Sequence, residues 1–372
     1  MPNPLYDALF APHANSRRAF LFDPMNGSSL SYRDFVDLAG RVAQVLVDLG
    51  LRPGDRIVAQ VGKSPAALAL YAGSVQAGIA YLPLNTAYTP DEVAYFVDDS
   101  SAKVLVADSR QLAALTPVAE RAGARSLTLS DDGTAGTFAE LVAAASTRTE
   151  VADRAPDDIA ALLYTSGTTG RSKGAMLSHE NLLTNSDTLR DLWRFSDSDV
   201  LLHALPVFHT HGLFVATNIT LLAGGSMIFE PNFNLDRMIA RLPHATAMMG
   251  VPTFYTRLLS DDRFDRDLTR RMRLFISGSA PLLAETHRTF EERTGHRILE
   301  RYGMTETNMN TSNPYEGERR AGTVGFPLPG IEVKTTDPAT NEIVTPGDIG
   351  QIEVRGPNVF KGYWQMPEKT RE

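Results

Sequence analysis

One loop of this sequence holds a dense group of side chains suited to binding polyphosphate. It runs from Tyr164 to Gly174, directly after an apolar segment, and contains three glycines, five Ser or Thr residues and Lys173. Glycines let backbone N–H groups converge on an anion, hydroxyls donate further hydrogen bonds, and the ammonium adds a positive charge. We therefore predict a polyphosphate cradle, with a surface loop of small residues as the alternative.

The loop is not a Walker A sequence, although Gly167 and Lys173 have the right separation. Ser172 stands where a glycine must precede the lysine, and Gly174 stands where Ser or Thr must follow it. An unrelated P-loop ATPase is therefore the disfavoured interpretation.

Two further segments with residues suited to binding a ligand lie at the predicted ends of strands. The first, Glu300–Thr307, contains Glu306, and ligands of open α/β sheets bind at the carboxyl ends of the strands. A carboxylate there is suited to Mg²⁺, which prefers oxygen ligands and bridges phosphates, although an acidic residue at a strand end can also cap a helix. The second, Ser277–Leu282, is a turn whose small residues allow a flat ring to approach.

The scaffold for these segments is predicted to alternate strands with helices. The uncharged stretch 64–90 is long enough to cross a bilayer, but Gly, Pro, Gln and Asn interrupt it. Ser64 and Pro65 instead resemble the start of a helix that Gly78 would end, followed by a short buried strand. Strands separated by helices imply crossover connections, hence parallel sheets covered on both faces.

The fold class predicted from these patterns is α/β, with mostly parallel sheets covered by helices. We expect one β/α subdomain at 1–158, including a peripheral segment, and a second at 159–321 that holds the phosphate loop and the binding pocket. From about residue 322, short alternating runs lie between glycine- and proline-rich turns. They favour the start of a small antiparallel β-barrel-like subdomain at 322–372.

Composition excludes several classes of function. The 372 residues carry 36 Lys and Arg against 44 Asp and Glu, a net charge of -8 that argues against a nucleic-acid partner. There is no cysteine, which excludes disulfides, thiolate metal sites and cysteine nucleophiles. The first residues lack the basic and apolar regions of a signal peptide, so we predict a cytoplasmic protein without a membrane partner.

Taken together, these segments resemble the adenylate-forming superfamily, which includes acyl-CoA synthetases, luciferases and the adenylation domains of peptide synthetases. The similar segments follow the superfamily's order: Tyr164–Gly174, Leu205–His209, Gly278–Leu282, Tyr302–Glu306 and Gly350–Pro357. Within the superfamily, Glu300–Ser312 is most similar to the malonyl-CoA synthetases.

The resemblance implies a ligase reaction in two halves. A carboxylate attacks the α-phosphorus of ATP to give an acyl-adenylate and pyrophosphate, and the thiol of CoA then displaces AMP to give a thioester. ATP and CoA would be co-substrates, and Mg²⁺ the metal. Because the acid and ATP are both anionic, positive charge must bring them together and stabilise the departing pyrophosphate.

Motif positions carry the family's functional residues onto this sequence, with Lys173, His209, Thr305 and Glu306 as the catalytic set. Magnesium is assigned to Thr165 and Glu306, and the α-phosphate to Thr305. The β- and γ-phosphates are assigned to Thr165, Ser166, Gly167, Thr168, Thr169, Gly170 and Lys173. The adenine slot is assigned to Gly278, Ser279, Ala280, Pro281, Glu300 and Tyr302.

His209 lies where the family has a gate between the acyl pocket and the thiol tunnel, and its alternative role is that of a partly buried structural histidine. His203 and His211 lie close by in the sequence, but no carboxylate or cysteine completes a metal-binding set with them.

Arg301 carries the prediction of the substrate. Many relatives have a small residue just before the Tyr-Gly-x-Thr-Glu motif, where an arginine offers a planar double donor to a second carboxylate. We therefore predict malonate, with methylmalonate as a second candidate; His209 and Arg257 are further candidates to contact the carboxylate. The alternative is that Arg301 turns outward towards an acid such as Glu300.

The family's ribose-binding aspartate, hinge and C-terminal α+β lid domain with its adenylation lysine have no counterpart up to Glu372. The expectation is therefore weak nucleotide binding and little or no full-cycle activity. Alternatives are an acyl-CoA synthetase or carrier-loading adenylation enzyme for another small acid, and a nucleotide-binding fragment without turnover. The sequence does not predict an oligomeric state.

Overall fold

The computed structural model describes residues 2–165, 171–345 and 347–372, which form two large sheets and a small one. The strands are β1 (Ala19–Phe22), β2 (Ser29–Ser31), β3 (Arg56–Gln60), β4 (Ala80–Pro83), β5 (Val104–Ala107), β6 (Arg125–Thr128), β7 (Ile159–Thr165), β8 (Lys173–Ser178), β9 (Val200–His203), β10 (Ser226–Phe229), β11 (Ala247–Gly250), β12 (Leu274–Ser277), β13 (Leu299–Met304), β14 (Asn308–Ser312), β15 (Phe326–Pro327), β16 (Glu332–Thr336) and β17 (Gln351–Arg355).

Helices connect most of these strands. They are α1 (Pro4–Leu9), α2 (Tyr32–Asp48), α3 (Pro65–Ala77), α4 (Pro90–Ser100), α5 (Leu112–Arg121), α6 (Thr137–Ala144), α7 (His179–Leu192), α8 (Asn218–Ala223), α9 (Leu235–Arg241), α10 (Pro252–Leu259), α11 (Ala284–Thr294) and α12 (Pro367–Arg371). A π-helical segment, His211–Thr217, runs directly into α8.

The six-stranded sheet has the order β6-β5-β3-β4-β7-β8 and is parallel except for its edge strand β8. The nine-stranded sheet has the order β15-β14-β13-β12-β11-β9-β10-β1-β2, with six parallel strands between antiparallel edges. The α/β class with mostly parallel sheets covered by helices is therefore confirmed.

The sheets do not follow the predicted division at residue 158. Strands β7 and β8 complete the first sheet, whereas β1 and β2, at the start of the chain, pair into the second. A strand buried on both faces has the same apolar composition in either sheet, so its sequence does not reveal its partner.

The last fifty residues contribute less sheet than a barrel requires. Within the described part of 322–372, β16 and β17 form an antiparallel pair, and β15 adds to the edge of the large sheet. The antiparallel character is as predicted, but these residues do not close a barrel.

The uncharged stretch 64–90 forms a helix and a strand inside the fold. The Ser64 hydroxyl accepts a hydrogen bond from the backbone N–H of Ala67, and Gly78 ends α3 in the left-handed conformation at φ 71°. No helix in the described ranges has both the length and the apolarity needed to cross a bilayer.

A hairpin determines where the Tyr302–Glu306 motif lies. Strand β13 runs from Leu299 to Met304, and the chain then turns back into β14. Gly303 makes this turn possible, because a Cβ there would lie 1.8 Å from the carbonyl oxygen of Asn308. Arg301 is thereby placed within the strand, and Glu306 in the turn.

Candidate active site

A cavity of about 670 Å³ opens at the carboxyl ends of strands from both large sheets. The lining residues follow β7, β9, β11 and β12, belong to the β13–β14 hairpin, or begin β8: Thr165, Lys173, Leu205, Pro206, His209, Thr210, His211, Gly212, Val251, Ser279, Arg301, Gly303, Met304, Thr305, Glu306 and Met309. This is the edge at which open α/β sheets bind ligands. The cavity thus brings together Thr165, Lys173, His209, Arg301 and Glu306, which the sequence singled out.

Arg301 is a buried cation without a partner among the described residues. Its side chain is 3% exposed, and its Nε and Nη2 atoms have no hydrogen-bond acceptor. Burial lowers the pKa of Arg301 to about 9. Gly278 makes room for the guanidinium, because a Cβ at that position would lie 2.3 Å from its Cζ. A guanidinium in this state is suited to receive an anion from the cavity.

Glu300 does not pair with its neighbour. Its Oε1 instead accepts a 3.3 Å hydrogen bond from the backbone N–H of Gly322, and burial raises the pKa of this carboxyl. The outward-turned arrangement of Arg301 is therefore not the one found.

His211 stands beside Arg301 and has no assigned role in the sequence prediction. Its Nδ1 lies 3.2 Å from the Ser279 hydroxyl, whereas its Nε2 has no partner among the described residues. Burial, and then the charge of Arg301, hold the pKa of His211 well below its ordinary value, so the ring is neutral. The cluster of histidines at 203, 209 and 211 was visible in the sequence, but only the fold shows that His211 faces the arginine.

His209 follows directly on a segment that lines a second cavity. It lines the large cavity, and its ring packs 4.6 Å from the ring of Phe208. Burial by the surrounding protein lowers the pKa of His209. A second cavity of about 370 Å³ adjoins the same segment and is lined by Pro206, Val207 and Phe208. The histidine therefore occupies a position suited to a gate.

At the end of the cavity that Lys173 and Glu306 line, both side chains contact Tyr363, a residue that the sequence prediction missed. The Tyr363 hydroxyl donates a 2.8 Å hydrogen bond to Oε1 of Glu306, and the Lys173 Nζ lies 4.5 Å from the centroid of the Tyr363 ring. Thr165 pairs with Lys173 in the antiparallel register of β7 and β8. The predicted phosphate ligands Ser166, Gly167, Thr168, Thr169 and Gly170 lie outside the described residues.

The oxygen donors at this end fit a magnesium ion. Glu306 offers a carboxylate and Thr165 a hydroxyl, and both residues line the cavity. The described ranges contain no cluster of three His, Cys, Asp or Glu residues. Mg²⁺ commonly binds one or two carboxylates together with substrate phosphates and water, so such a cluster is not required. Thr305 lies in the same turn and also faces the cavity.

Of the residues predicted to bind adenine, only some line the cavity. Ser279 lines the cavity in a left-handed conformation at φ 70°, whereas Gly278, Ala280, Pro281, Glu300 and Tyr302 are not among the lining residues. Ala280 and Pro281 are exposed, and the Tyr302 hydroxyl lies 3.6 Å from the sulfur of Met304. Their role in binding adenine stays a prediction.

Arg257 is not brought to the cavity. It lies in the last turn of α10, and its Cζ packs 4.7 Å from the centroid of the Phe233 ring. Arg301 is thus the arginine that lines the large cavity in the described part of the chain.

Three comparisons relate this geometry to known proteins. The model of the family described as "AMP-binding enzyme" matches residues 10–364. The malonate–CoA ligase of Arabidopsis thaliana is 32% identical over 368 residues, which cover 93% of this chain and 60% of that protein. The chain therefore spans less than two thirds of this relative.

Solved structures agree over the whole chain. ATP-bound MatB from Rhodopseudomonas palustris superposes with a TM-score of 0.96 at 55% identity. The superposition covers 100% of this chain and 73% of the MatB chain. A malonyl-CoA ligase in a ternary product complex with methylmalonyl-CoA and AMP has a TM-score of 0.80 at 32% identity, covering 100% of this chain and 75% of its own.

Proposed function

The chain belongs to the AMP-binding enzyme family, and from this premise we propose that it forms malonyl-CoA from malonate, ATP and CoA through a malonyl-adenylate, with release of pyrophosphate and AMP. The observation that carries the proposal is Arg301, buried and unpaired at one end of the cavity. The similarity to a malonate–CoA ligase and to a malonyl-CoA ligase supports it.

The acyl end of the proposed site, formed by Arg301 and His211, receives the carboxylate of malonate that does not react. A free carboxylate in a closed pocket costs several kcal/mol unless it is paired. The Arg301 guanidinium supplies the opposite charge, and neutral His211 has a ring nitrogen free to donate in the tautomer that leaves its Nδ1 as acceptor from Ser279. Methylmalonate would present the same carboxylate.

The phosphate end of the proposed site, formed by Lys173, Glu306 and Thr165, receives ATP. Lys173 contacts the β- and γ-phosphates together with the loop 166–170, and Thr305 contacts the α-phosphate. Thr165 and Glu306 hold Mg²⁺, which when bound neutralises phosphate charge and stabilises the leaving pyrophosphate. The reacting carboxylate of malonate then lies between this end and Arg301.

His209 separates the two co-substrates in the proposed reaction. The large cavity holds the adenylate, and the second cavity beyond Pro206–Phe208 admits the thiol arm of CoA. Turning of the His209 ring would let the thiol reach the acyl carbon. We expect the reaction to use small-molecule substrates and to take place in the cytoplasm.

Calorimetric binding of two non-hydrolysable acyl-adenylate mimics, malonyl and acetyl, tests the substrate. If Arg301 receives the second carboxylate, the malonyl mimic binds roughly tenfold tighter or more, about 1.4 kcal/mol. Equal binding would leave the adenylate-forming class intact but contradict malonate as substrate. Failure of both mimics to bind would contradict a nucleotide site in residues 1–372.

Another small carboxylic acid is the second candidate substrate, since the family includes ligases for several acids. A carrier protein as acyl acceptor, or nucleotide binding without turnover, is the corresponding alternative for the second half-reaction. We further propose that full turnover needs more chain than residues 1–372, which span 60% of the Arabidopsis relative. Malonate-dependent turnover by these residues equal to that of an extended chain would contradict this.

A further inference from the structure

We propose that Tyr363 is a positioning residue for the phosphate end of the cavity, where its hydroxyl orients the Glu306 carboxylate and its ring holds the Lys173 ammonium. The inference rests on the proposed function, in which Glu306 meets Mg²⁺ and Lys173 meets the phosphates of ATP. Neither motif that carries those two residues includes Tyr363, which lies 190 positions after Lys173 in the sequence.

The contacts of Tyr363 divide between its two polar neighbours. The hydroxyl donates to Oε1 of Glu306 at 2.8 Å, which leaves the second carboxylate oxygen available to a cation. The ring face lies 4.5 Å from Nζ of Lys173, within the range of a cation–π interaction. A carboxylate oxygen accepts hydrogen bonds, so the phenol is the donor in this contact.

Backbone hydrogen bonds bring Tyr363 to this place from both large sheets. The N–H of Trp364 donates to the carbonyl of Gly174 at 2.7 Å, and Tyr363 forms an antiparallel bridge with Ala175. Segment 361–364 thus lies along the outer edge of β8. On the other side, the N–H of Phe360 donates to the carbonyl of Glu306 at 2.8 Å.

The position of Tyr363 keeps the opposite charges of Lys173 and Glu306 from pairing with each other. Lys173 and Glu306 carry opposite charges, come from different sheets, and line the same end of one cavity. No ion pair joins them in the described structure; the tyrosine lies between them instead. In a direct ion pair, the charge of each side chain would be offset by the other and would attract its own ligand less strongly. A hydrogen bond from outside the metal site also orients a ligating carboxylate, and loss of such a bond typically costs 10- to 100-fold in metal affinity.

Two substitutions separate the functions of the hydroxyl and the ring. Tyr363→Phe removes the hydrogen bond to Glu306 but keeps the ring under Lys173, whereas Tyr363→Leu removes both. The control is Tyr32→Phe, which deletes a buried tyrosine hydroxyl that donates at 2.6 Å to the carbonyl of Gly225, in contact with neither Glu306 nor Lys173. The readout is calorimetric affinity for a non-hydrolysable ATP analogue, with Mg²⁺ and with a chelator.

The expected result is a change in metal dependence. In Tyr363→Phe, the gain in affinity that Mg²⁺ confers falls about tenfold, while metal-free affinity stays within about twofold of the parent chain. Tyr363→Leu in addition weakens metal-free binding about threefold, because the ammonium loses its aromatic contact. Tyr32→Phe changes neither quantity. Thermal unfolding of each variant verifies that it is folded.

Three results would overturn the inference. A Tyr363→Phe variant with the same Mg²⁺ dependence as the parent would show that the hydroxyl does not orient Glu306. Equal weakening with and without Mg²⁺ would indicate a merely structural residue, and tighter Mg²⁺ binding would identify Tyr363 as a competitor of the metal. If the parent chain itself binds no nucleotide, the proposed function fails as well, which distinguishes that outcome from the other three.

Discussion

The acyl end and the phosphate end of the cavity hold their charged groups in opposite states. At the acyl end, Arg301 and His211 are each 3% exposed and keep nitrogen atoms without partners among the described residues. At the phosphate end, Glu306 accepts a hydrogen bond from Tyr363, and Lys173 rests on the ring of the same residue. The charged group of the acyl end therefore lacks a partner within the described chain, whereas the charged groups of the phosphate end both contact Tyr363.

The difference follows from how the two ends are built. Arg301 lies within β13, and the next strand of the same sheet leads to Gly278, so packing alone holds the guanidinium in place. The phosphate end combines the two large sheets and segment 361–364, whose relative positions depend on hydrogen bonds. A buried unpaired cation lowers stability until its anion binds, whereas satisfied groups keep stability but must rearrange around a ligand.

The largest expected effect tests the unpaired state of Arg301. Arg301→Met should weaken binding of the malonyl-adenylate mimic roughly 100-fold, because a desolvated charge pair is lost, and leave the acetyl mimic unchanged. The same substitution should stabilise the ligand-free chain by about 2 kcal/mol, since it removes an unpaired buried charge. Calorimetry and urea unfolding measure the two effects. A loss of stability instead would show that Arg301 has a structural partner, and the two ends of the cavity would then not differ in this respect.

A smaller effect tests whether packing against Gly278 positions the guanidinium. In Gly278→Ala, the new Cβ would lie 2.3 Å from Cζ of Arg301, so the side chain must shift. We expect the preference for the malonyl over the acetyl mimic to fall about tenfold, an overpacking effect of roughly 1.4 kcal/mol. In the Arg301→Met background the alanine should change the remaining ratio very little. An equal loss in both backgrounds would mean that Gly278 acts on the nucleotide rather than through Arg301.

The phosphate end should respond to charge removal without affecting the acyl end. Lys173→Met is expected to weaken ATP binding about fivefold, since a half-exposed ammonium contributes about 1 kcal/mol. Binding of the malonyl-adenylate mimic, which lacks the β- and γ-phosphates, should change less than about twofold. Lys369→Met, on the exposed helix α12, is the matched control. A parallel loss for ATP and the mimic would contradict the separation of the two ends.

The smallest effect concerns the neutral histidine at the acyl end. The folded-state pKa of His211 is well below 6.5, so the folded chain excludes a proton that the unfolded chain binds below pH 6.5. Stability therefore falls as the pH decreases from about 6.5, by up to about 1.4 kcal/mol per pH unit for this group. His211→Gln should flatten the slope by about 1 kcal/mol per unit in urea unfolding between pH 6.5 and 5. An unchanged slope in His211→Gln would show that the His211 ring takes up a proton as readily in the folded chain as in the unfolded chain.

Much of the fold was predictable because its signals are local. The start of α3 at Ser64 and its end at Gly78 follow from hydrogen-bonding and backbone preferences that neighbouring residues express. The partners of β1 and β7 were not predictable, since any buried strand can fill a place in either sheet. In the described part of 322–372, where the start of a barrel-like subdomain was expected, the structure has the pair β16–β17 and the edge strand β15.

The candidate site divides in the same way. Lys173, Arg301 and Glu306 were found because motifs place them at the ends of strands, and the fold brings all three to one cavity. Arg257 was a further candidate because it follows the segment 251–255, but its position in α10 directs it to Phe233 instead. Tyr363 comes from a segment whose sequence carries no pattern that indicates a role. His211 belongs to a visible histidine cluster, but only the fold decides which of those histidines lies near Arg301.

The sequence by itself determined the chemical groups of the site and the strands that carry them, because motifs and alternation depend on residues close together in the chain. Only the tertiary structure decided which groups are paired. Whether Arg301 faces Glu300 or an open cavity depends on contacts between distant segments, and so does the contact of Glu306 with Tyr363, which lies 57 residues further along the chain. Burial and partnership arise from packing between distant segments, and they set the charge state and the free energy of each group.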